Sequence, residues 1–338
     1  MGMRVIIPVA GEGTRMRPHT HTKPKVLIQV AGKPMLGHIL DELKQYDVDE
    51  VCLVVGHMAD SIREYVTRAY DYKFQFVTQT ELKGLGHAVW MTGDLYRDVE
   101  SPLLVILGDT IFDADFRKII GSESNWIGVH EVDDPRRFGI AALEGDRITA
   151  MVEKPDPEDA PSRLAIVGIY YFTDGRMLYQ SLDALLESGQ RTKGEFQLTD
   201  ALQIMLERGS TMKPFLIGGW FDCGKPETLL ETNRLLLEMA AARGGGVQAD
   251  RFEGSLIRQP VSIGEGVTID GSIVGPHVTL ARGAVVRNSI VGNSIVGEEA
   301  VVDGMVLDGS IIGDKASAAG RPARINLGSD SEVESSHG

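Results

Sequence analysis

The sequence predicts an α/β domain with an open sheet, followed by a parallel β-helix. Three observations lead to this fold class. Short apolar runs alternate with segments of helical period through residue 243, whereas beyond it apolar residues recur about every six positions. Glycine and aromatic residues also divide unevenly, because 17 of the 39 glycines lie in residues 244–338 but Phe252 is the only one of 21 aromatic residues there. We therefore expect two different folds in one chain.

Apolar runs define the elements of the first part. The runs at 51–55 and 103–107 are apolar at every position, which is typical of strands covered by helices on both faces of a sheet. Segments with apolar residues spaced three to four apart predict helices. The predicted strands cover residues 4–9, 51–55, 74–77, 103–107, 127–132, 140–143, 148–153 and 165–172. One predicted helix begins at Pro34, and the others cover residues 61–68, 177–186, 198–207 and 226–242.

A glycine-rich linker at 241–246 precedes the second part. Ser-Ile-Val-Gly then occurs at 272–275, 289–292 and 294–297, and Ser-Ile-Ile-Gly at 310–313. A period of six suits a β-helix in which each hexad forms one flat side, and the alternative is an irregular sheet rich in valine and glycine. The residues predicted to point inward are Ile263, Ile269, Val274, Leu280, Val286, Val296 and Val302. The predicted domains are 1–243 and 244–326, with the Ser/Glu-rich residues 327–338 expected to be disordered.

Composition excludes several classes of protein. The chain has 34 Lys and Arg against 48 Asp and Glu, a net charge of −14, so a broad nucleic-acid footprint is not expected. A small anionic ligand needs only a few local cations. No apolar run is long enough for a membrane span or a signal peptide, and two cysteines are too few for a disulfide framework. We expect a cytoplasmic protein that binds neither nucleic acid nor membrane.

A glycine loop follows the first predicted strand. Gly11 and Gly13 lie in it, but Met16 stands where a dinucleotide fingerprint needs a third glycine. The four cations that follow within about ten residues are Arg15, Arg17, Lys23 and Lys25. Backbone N–H groups beside clustered cations predict a polyphosphate site, and the alternative is a solvated basic surface.

Several segments together resemble the sugar-1-phosphate nucleotidylyltransferases. The residues that carry the resemblance are Pro-Val-Ala-Gly-Glu-Gly-Thr-Arg-Met-Arg-Pro at 8–18, Lys-Pro-Lys at 23–25, Gly-Lys-Pro-Met at 32–35, Leu-Gly-Asp at 107–109, Val-Glu-Lys-Pro at 152–155, Val-Gly-Ile-Tyr at 167–170, Gly-Glu-Phe-Gln-Leu-Thr-Asp at 194–200 and Trp-Phe-Asp-Cys-Gly-Lys-Pro at 220–226. Long members of the family also carry C-terminal hexad repeats. The resemblance therefore implies a Rossmann-like open mixed sheet in a nucleotidyltransferase domain, followed by a left-handed parallel β-helix.

The resemblance also implies roles for individual residues. The implied catalytic residues are Arg15, Lys25 and Lys154, and the implied ligands of Mg²⁺ are Asp109 and Asp222. Mg²⁺ prefers such carboxylate oxygens. The implied nucleotide-binding residues are Ala10, Gly11, Gly13, Thr14, Gln79 and Gly84. The residues implied to bind the sugar phosphate are Gly139, Glu153, Lys154, Val167 and Gly168.

The substrates implied are a nucleoside triphosphate and a sugar 1-phosphate, most simply glucose 1-phosphate. Gln79 can pair with the imide edge of a pyrimidine, which favours UTP or dTTP over GTP. The runs at 84–89 and 160–168 resemble uridylyltransferases, whereas 220–226 and the C-terminal part resemble thymidylyltransferases, so the base stays open. His87 is interpreted either as close to the base or as an exposed histidine at a helix start.

Two other functions remain as alternatives. One is a bifunctional nucleotidyltransferase and acyltransferase acting on an amino-sugar phosphate, for which His277 is the only histidine in the repeats that could serve as general base. The other is a non-catalytic regulatory relative, which an intact catalytic set argues against. By resemblance, the β-helix also predicts a homo-oligomer, with a trimer favoured over a dimer or tetramer.

Overall fold

The computed structural model describes residues 2–245 and 252–320. Two compact units divide the chain between Thr232 and Asn233. The domain bounds predicted from the sequence stay predictions, and residues 327–338, where disorder is predicted, lie outside the described residues. No helix in the described ranges is long and apolar enough to cross a membrane.

The first unit contains the strands and most of the helices of the predicted α/β domain. Its strands are β1 (Met3–Pro8), β2 (Gln29–Val30), β3 (Lys33–Pro34), β4 (Val48–Val55), β5 (Phe74–Thr78), β6 (Leu103–Ile106), β7 (Thr110–Asp113), β8 (Asn125–Glu131), β9 (Gly139–Glu144), β10 (Arg147–Glu153), β11 (Leu164–Phe172), β12 (Met212–Leu216) and β13 (Gly219–Asp222). Its helices are α1 (Met35–Leu43), α2 (Ala59–Ala69), α3 (Leu85–Trp90), α4 (Gly93–Tyr96), α5 (Arg176–Ser188) and α6 (Leu198–Glu207). Helix α7 (Pro226–Ala242) contains the point of division.

The main sheet is mixed, and it has the order β10-β9-β11-β6-β1-β4-β5 with β8 and β12 branching from β11. Strands β6, β1, β4 and β5 are parallel, whereas β11 runs antiparallel to β6, β8 and β9. Successive residues of β1 enter opposite cores: Ile6 packs with α3, α5 and α6, and Ile7 packs with α1 and α2. Helices thus cover both faces, and the predicted Rossmann-like open mixed sheet is confirmed.

The predicted elements are all present, with bounds that differ by no more than three residues. The sequence analysis missed the short helices α3 and α4. It also predicted no strand at residues 212–222. Strand β12 ends at Leu216, and Ile217 and Gly218 separate it from β13, which pairs with β7 and contains Asp222 as its last residue.

The second unit is built of short parallel strands stacked in three four-stranded sheets, as in a left-handed β-helix. The first sheet contains β14 (Leu256–Ile257), β17 (Ile273–Val274), β20 (Ile290–Gly292) and β23 (Val306–Asp308). The second contains β15 (Val261–Ile263), β18 (Val278–Leu280), β21 (Ile295–Val296) and β24 (Ile311–Ile312). The third contains β16 (Thr268–Asp270), β19 (Val285–Arg287), β22 (Val301–Asp303) and β25 (Ser317–Ala319).

Apolar residues and serines stabilise this stack. Six of the seven residues predicted to point inward are buried, and Ile263 is half-buried. Serine hydroxyls link successive coils along one corner: Ser272 Oγ accepts from the N–H of Ser289 at 3.0 Å, and Ser289 Oγ accepts from that of Met305 at 3.0 Å. The β-helix prediction is therefore confirmed, and the irregular sheet is not what forms.

Candidate functional site

Two cavities lie side by side in the first unit. The first, of about 520 Å³, is lined by the glycine loop at 10–15, Lys25, Gln79, Gly84 and Asp109. The second, of about 450 Å³, is lined by Arg137, Lys154, Val167, Trp220 and Asp222 among others. Three residues line both cavities: Arg15, Leu107 and Asp109. Two ligands bound in the two cavities would therefore meet at Arg15 and Asp109.

The parallel part of the sheet explains this position. Strands β1 and β6 are neighbours in parallel register, with Ile6 opposite Val105. Both strands end at the same edge, where β1 leads into the glycine loop and β6 leads to Asp109. Ligands of open α/β sheets bind at this carboxyl edge.

Lys25 and Asp109 form an ion pair at the centre of the site. Lys25 Nζ donates to Asp109 Oδ2 at 2.6 Å, and the lysine side chain is only 8% exposed. Burial by itself would raise the pKa of Asp109, but the charge and hydrogen bond of Lys25, with a smaller effect of Arg15, hold that pKa below its usual value. Asp109 is thus kept ionised and able to accept a cation.

Asp222 lies close to Asp109 because β13 pairs with β7. Asp222 is opposite Thr110 in this register, and the N–H of Cys223 donates to the backbone oxygen of Asp109 at 3.4 Å. Asp222 Oδ1 accepts from the N–H of Gly224 at 2.9 Å, and Oδ2 accepts from Arg137 Nη2 at 2.8 Å. A Cβ on Gly224 would come within 2.8 Å of Asp222 Oδ1 and 3.2 Å of Arg15 Nη2, so Arg15 lies beside Asp222.

The carboxylates of Asp109 and Asp222 fit a divalent cation that takes only two ligands from the protein. In the described ranges, no group of three or more His, Cys, Asp or Glu is placed to hold a metal ion. Mg²⁺ is commonly held by one or two carboxylates together with substrate phosphates, so a third protein ligand is not required. Two carboxylates at the junction of two cavities meet that description.

Gln79 is buried at the far end of the first cavity. Its Nε2 lies 3.0 Å from His87 Nδ1 and donates to the backbone oxygen of Gly84 at 3.4 Å. Gly84 has a φ of +107°, and a Cβ there would lie 2.6 Å from the backbone oxygen of Phe196. The prediction of an exposed His87 is wrong: the side chain is buried, and burial, followed by the charge of Lys83, lowers the pKa of its imidazole. His87 therefore holds Gln79 in place.

Strand β10 ends at Glu153, and the next residue, Lys154, lines the second cavity. Lys154 Nζ lies 3.1 Å from Glu153 Oε1, and Glu153 is only 8% exposed. A Cβ on Gly139 would lie 2.5 Å from Thr199 Oγ1 and 3.1 Å from Glu153 Oε2, so only glycine fits beneath these polar groups. Of the residues implied to bind the sugar phosphate, Lys154 and Val167 line the second cavity, whereas Gly139, Glu153 and Gly168 lie outside its lining.

The other predicted residues divide as follows. The implied nucleotide-binding residues Ala10, Gly11, Gly13, Thr14, Gln79 and Gly84 all line the first cavity. Arg17 lies outside the linings of both cavities and pairs with Glu12 on the surface, at 3.5 Å. The four loop cations predicted as one cluster thus separate into Arg15 and Lys25, which line the cavities, and Arg17 and Lys23, which line neither.

Sequence reasoning gave no role to several residues that line the two cavities, among them Arg137, Trp220 and Glu195. Arg137 and Trp220 line the second cavity, and Glu195 lines the first. Arg137 belongs to an Arg-Arg pair directly after Asp134-Pro135, a signal that could have drawn attention to it. Trp220 and Glu195 stand inside motifs that the sequence analysis used without giving these two residues a role.

His277 does not have the surroundings of a general base. Its Nε2 lies 3.1 Å from Glu238 Oε1, and its Nδ1 lies 3.1 Å from Asn293 Oδ1. Both ring nitrogens already have partners within the second unit. The acyltransferase alternative stays a prediction.

Comparisons with known proteins agree with the fold and the motifs. The model of the family described as nucleotidyl transferase matches residues 4–239. A glucose-1-phosphate thymidylyltransferase of Streptomyces griseus is 31% identical over 84% of this chain and 84% of its own length. The bifunctional protein GlmU of Methanococcus maripaludis is 35% identical over 72% of this chain. The match covers only 57% of the length of that GlmU protein. A crystal structure of UDP-glucose pyrophosphorylase complexed with UDP-glucose matches with a TM-score of 0.60 and 26% identity, covering 71% of this chain and all of that one. The chain belongs to the nucleotidyl transferase family.

Proposed function

We propose that this chain transfers a nucleotidyl group from UTP or dTTP to glucose 1-phosphate and releases pyrophosphate. The observation that carries the proposal is the pair of cavities that meet at Arg15 and Asp109. One cavity contains a glycine loop and a buried glutamine, as a nucleotide requires, and the other contains Lys154, as a sugar phosphate requires. The names of the similar proteins agree with both substrates.

The reaction would be an in-line displacement between two anions. A phosphate oxygen of the sugar 1-phosphate attacks the α-phosphorus of the triphosphate, and a new P–O bond forms. The bond from the α-phosphorus to the oxygen bridging to the β-phosphate breaks, and pyrophosphate leaves with those electrons. Catalysis of this kind depends on positioning and on neutralising charge. Arg15 would hold the leaving phosphates, Lys25 the triphosphate, and Lys154 the sugar phosphate.

The cation required would be Mg²⁺, held by Asp109 and Asp222 together with the substrate phosphates. Families of this type generally use a divalent metal, and hard cations prefer carboxylate and phosphate oxygens. When bound, the cation supplies positive charge to the phosphates at the reacting centre. Lys25 and Arg137 neutralise the two carboxylates in the chain without ligands.

A pyrimidine base fits the surroundings of Gln79. Since Nε2 is directed to His87 and Gly84, the side chain can offer its Oε1 to the imide N–H of uracil or thymine. The 5-methyl group that separates the two bases is worth only about 1–3 kcal/mol in a pocket. We therefore propose that both UTP and dTTP serve as donors.

Product identification tests the proposal. Purified protein with Mg²⁺, glucose 1-phosphate and UTP or dTTP should give pyrophosphate and a sugar nucleotide, visible as two new phosphorus environments by ³¹P NMR. Pyrophosphate and the sugar nucleotide should run the reaction backwards. Release of pyrophosphate without any sugar phosphate would instead show hydrolysis and contradict the proposal.

A further inference from the structure

Arg137 binds Asp222 through only one of its N–H groups. Its Nη2 donates to Asp222 Oδ2 at 2.8 Å. By contrast, Arg117 and Arg136 each bind a nearby aspartate through both Nε and Nη2. Arg137 thus keeps donors that have no hydrogen-bond partner in the described ranges.

The hydrogen bond of Arg137 places a positive charge on the carboxylate that a cation would need. Asp222 Oδ1 accepts from the backbone N–H of Gly224 and Oδ2 accepts from Arg137, so a cation would share this carboxylate with a guanidinium. The side chains of Arg137 and Asp222 are 39% and 22% exposed. An ion pair open to water contributes little to stability, so it can be exchanged at little cost.

The second cavity offers Arg137 another partner. Lys154, which is proposed to bind the sugar phosphate, lines the same cavity, and the lining also includes Arg15 and Arg136. The lining contains four basic side chains against two carboxylates, Asp109 and Asp222, and two of the basic side chains, Arg136 and Lys154, are paired with carboxylates outside the lining. A phosphate monoester dianion complements basic side chains, and a guanidinium can bind it through two parallel hydrogen bonds.

We infer that Arg137 exchanges partners during substrate binding. It pairs with Asp222 in this structure, and it binds the phosphate of the sugar 1-phosphate once a divalent cation occupies Asp222. The inference rests on the proposed function and adds a substrate-binding residue to it. Arg137 then has two effects of opposite sign, since it competes with the cation and attracts the phosphate.

The substitution Arg137→Gln separates this role from a structural salt bridge. Mn²⁺ binding to the unliganded protein, followed by the EPR signal of free Mn²⁺, should become about threefold tighter because a weak competing ion pair is gone. Glucose 1-phosphate binding, measured by calorimetry with Mg²⁺ and a UTP analogue bearing a methylene bridge between the α- and β-phosphorus, should weaken about tenfold, as expected for a lost hydrogen bond to a charged group. A salt bridge that only supports the fold would not produce opposite changes.

A matched control and a conservative variant complete the test. Arg163 is an exposed arginine that pairs with Glu131 at 3.7 Å and lines neither cavity, so Arg163→Gln should leave both affinities unchanged. Arg137→Lys should recover part of the affinity for glucose 1-phosphate.

Unchanged or weaker Mn²⁺ binding in Arg137→Gln, or unchanged glucose 1-phosphate binding, overturns the inference. Neither measurement needs turnover. If the wild-type protein is inactive but Arg137→Gln changes both affinities as expected, only the proposed function is contradicted. If the wild-type protein is active but neither affinity changes, only the exchange of partners by Arg137 is contradicted.

Discussion

Lys25 Nζ lies 2.6 Å from Asp109 Oδ2, and this ion pair joins the two cavities of the site. Lys25 comes from the loop that follows the first strand, whereas Asp109 comes from the loop that follows its parallel neighbour β6. Asp222 has an equivalent partner in Arg137. Each carboxylate proposed to hold a cation is therefore neutralised by a basic side chain before any ligand binds.

Asp109→Asn should abolish pyrophosphate release that depends on Mg²⁺ while the protein stays folded. An amide oxygen is neutral and binds a hard cation more weakly than a carboxylate does, so we expect kcat/KM to fall by about 100-fold or more. Initial rates and a thermal melt measure the two effects. Asp98→Asn, which changes an exposed aspartate lining neither cavity, is the control. Undiminished turnover in Asp109→Asn would contradict the metal assignment.

Lys25→Met should raise the pKa of Asp109. Burial, the largest influence, raises that pKa, and only the charge and hydrogen bond of Lys25, aided by Arg15, hold it below the usual value. Without Lys25, the effect of burial, which raises the pKa of Asp109, is opposed less strongly. A ¹³C NMR titration of the Asp109 carboxyl in both proteins measures the change. An unshifted pKa would show that Lys25 does not control the ionisation of Asp109.

The same pair should make stability depend on pH in the acid range. Because the pKa of Asp109 is lower in the folded protein, its contribution to stability is present above the unfolded value, about 3.9, and is lost as the pH falls through the folded pKa. Wild type should therefore lose more stability than Lys25→Met between pH 5 and its folded pKa. Urea denaturation across that window measures the difference, and parallel losses in the two proteins would refute it.

Gly84→Ala should destabilise the protein and weaken nucleotide binding. Gly84 has a φ of +107°, and an added Cβ would lie 2.6 Å from the Phe196 carbonyl oxygen. We expect a loss of about 1–3 kcal/mol and a higher KM for the nucleoside triphosphate, since Gly84 lines the first cavity. Gly121→Ala is matched to it, because Gly121 also has a positive φ of +80° but open space around the new Cβ. Equal losses in the two variants would show that the contact with Phe196 has no effect.

Ser289→Ala should weaken the β-helix. Ser289 Oγ accepts from the backbone N–H of Met305 at 3.0 Å, and the alanine leaves that half-buried donor without a partner. The free energy of unfolding should fall by about 1–2 kcal/mol. Ser317→Ala provides the comparison, since Ser317 is an exposed serine of β25. Denaturant melts of both variants measure the free energy of unfolding. A decrease no greater than that of Ser317→Ala would show that the hydrogen bond from Met305 to Ser289 does not stabilise the β-helix.

The fold was largely predictable because its signals are local. Buried strands such as β4 and β6 are continuous apolar runs, and the hexad period places inward residues such as Val286 directly. Helix α3 was missed because its six residues are too few to show a period. Strands β12 and β13 were missed because apolarity alone does not reveal that Ile217 and Gly218 separate a strand of the main sheet from one that pairs with β7.

The site was predictable only where motifs mark it. The glycine loop, Lys25 and Asp109 stand in recognisable segments, and all of them line one cavity. Arg137 lies 85 residues from Asp222 in sequence, and only the folded chain brings them together. The burial of His87 is also a tertiary effect, since its contact with Gln79 depends on how α3 packs against the end of β5. Long-range pairs of this kind leave no local pattern.

The most direct test of the proposed function is a matrix of pyrophosphate release. Four nucleoside triphosphates, UTP, dTTP, GTP and ATP, are crossed with the 1-phosphates of glucose, galactose, mannose, glucosamine and N-acetylglucosamine. Because Gln79 is proposed to face a pyrimidine edge and Lys154 the sugar phosphate, the highest kcat/KM should come from UTP or dTTP with glucose 1-phosphate. Activity with GTP as the only nucleoside triphosphate would contradict the proposed function. The absence of activity with every sugar 1-phosphate in the set would contradict it as well.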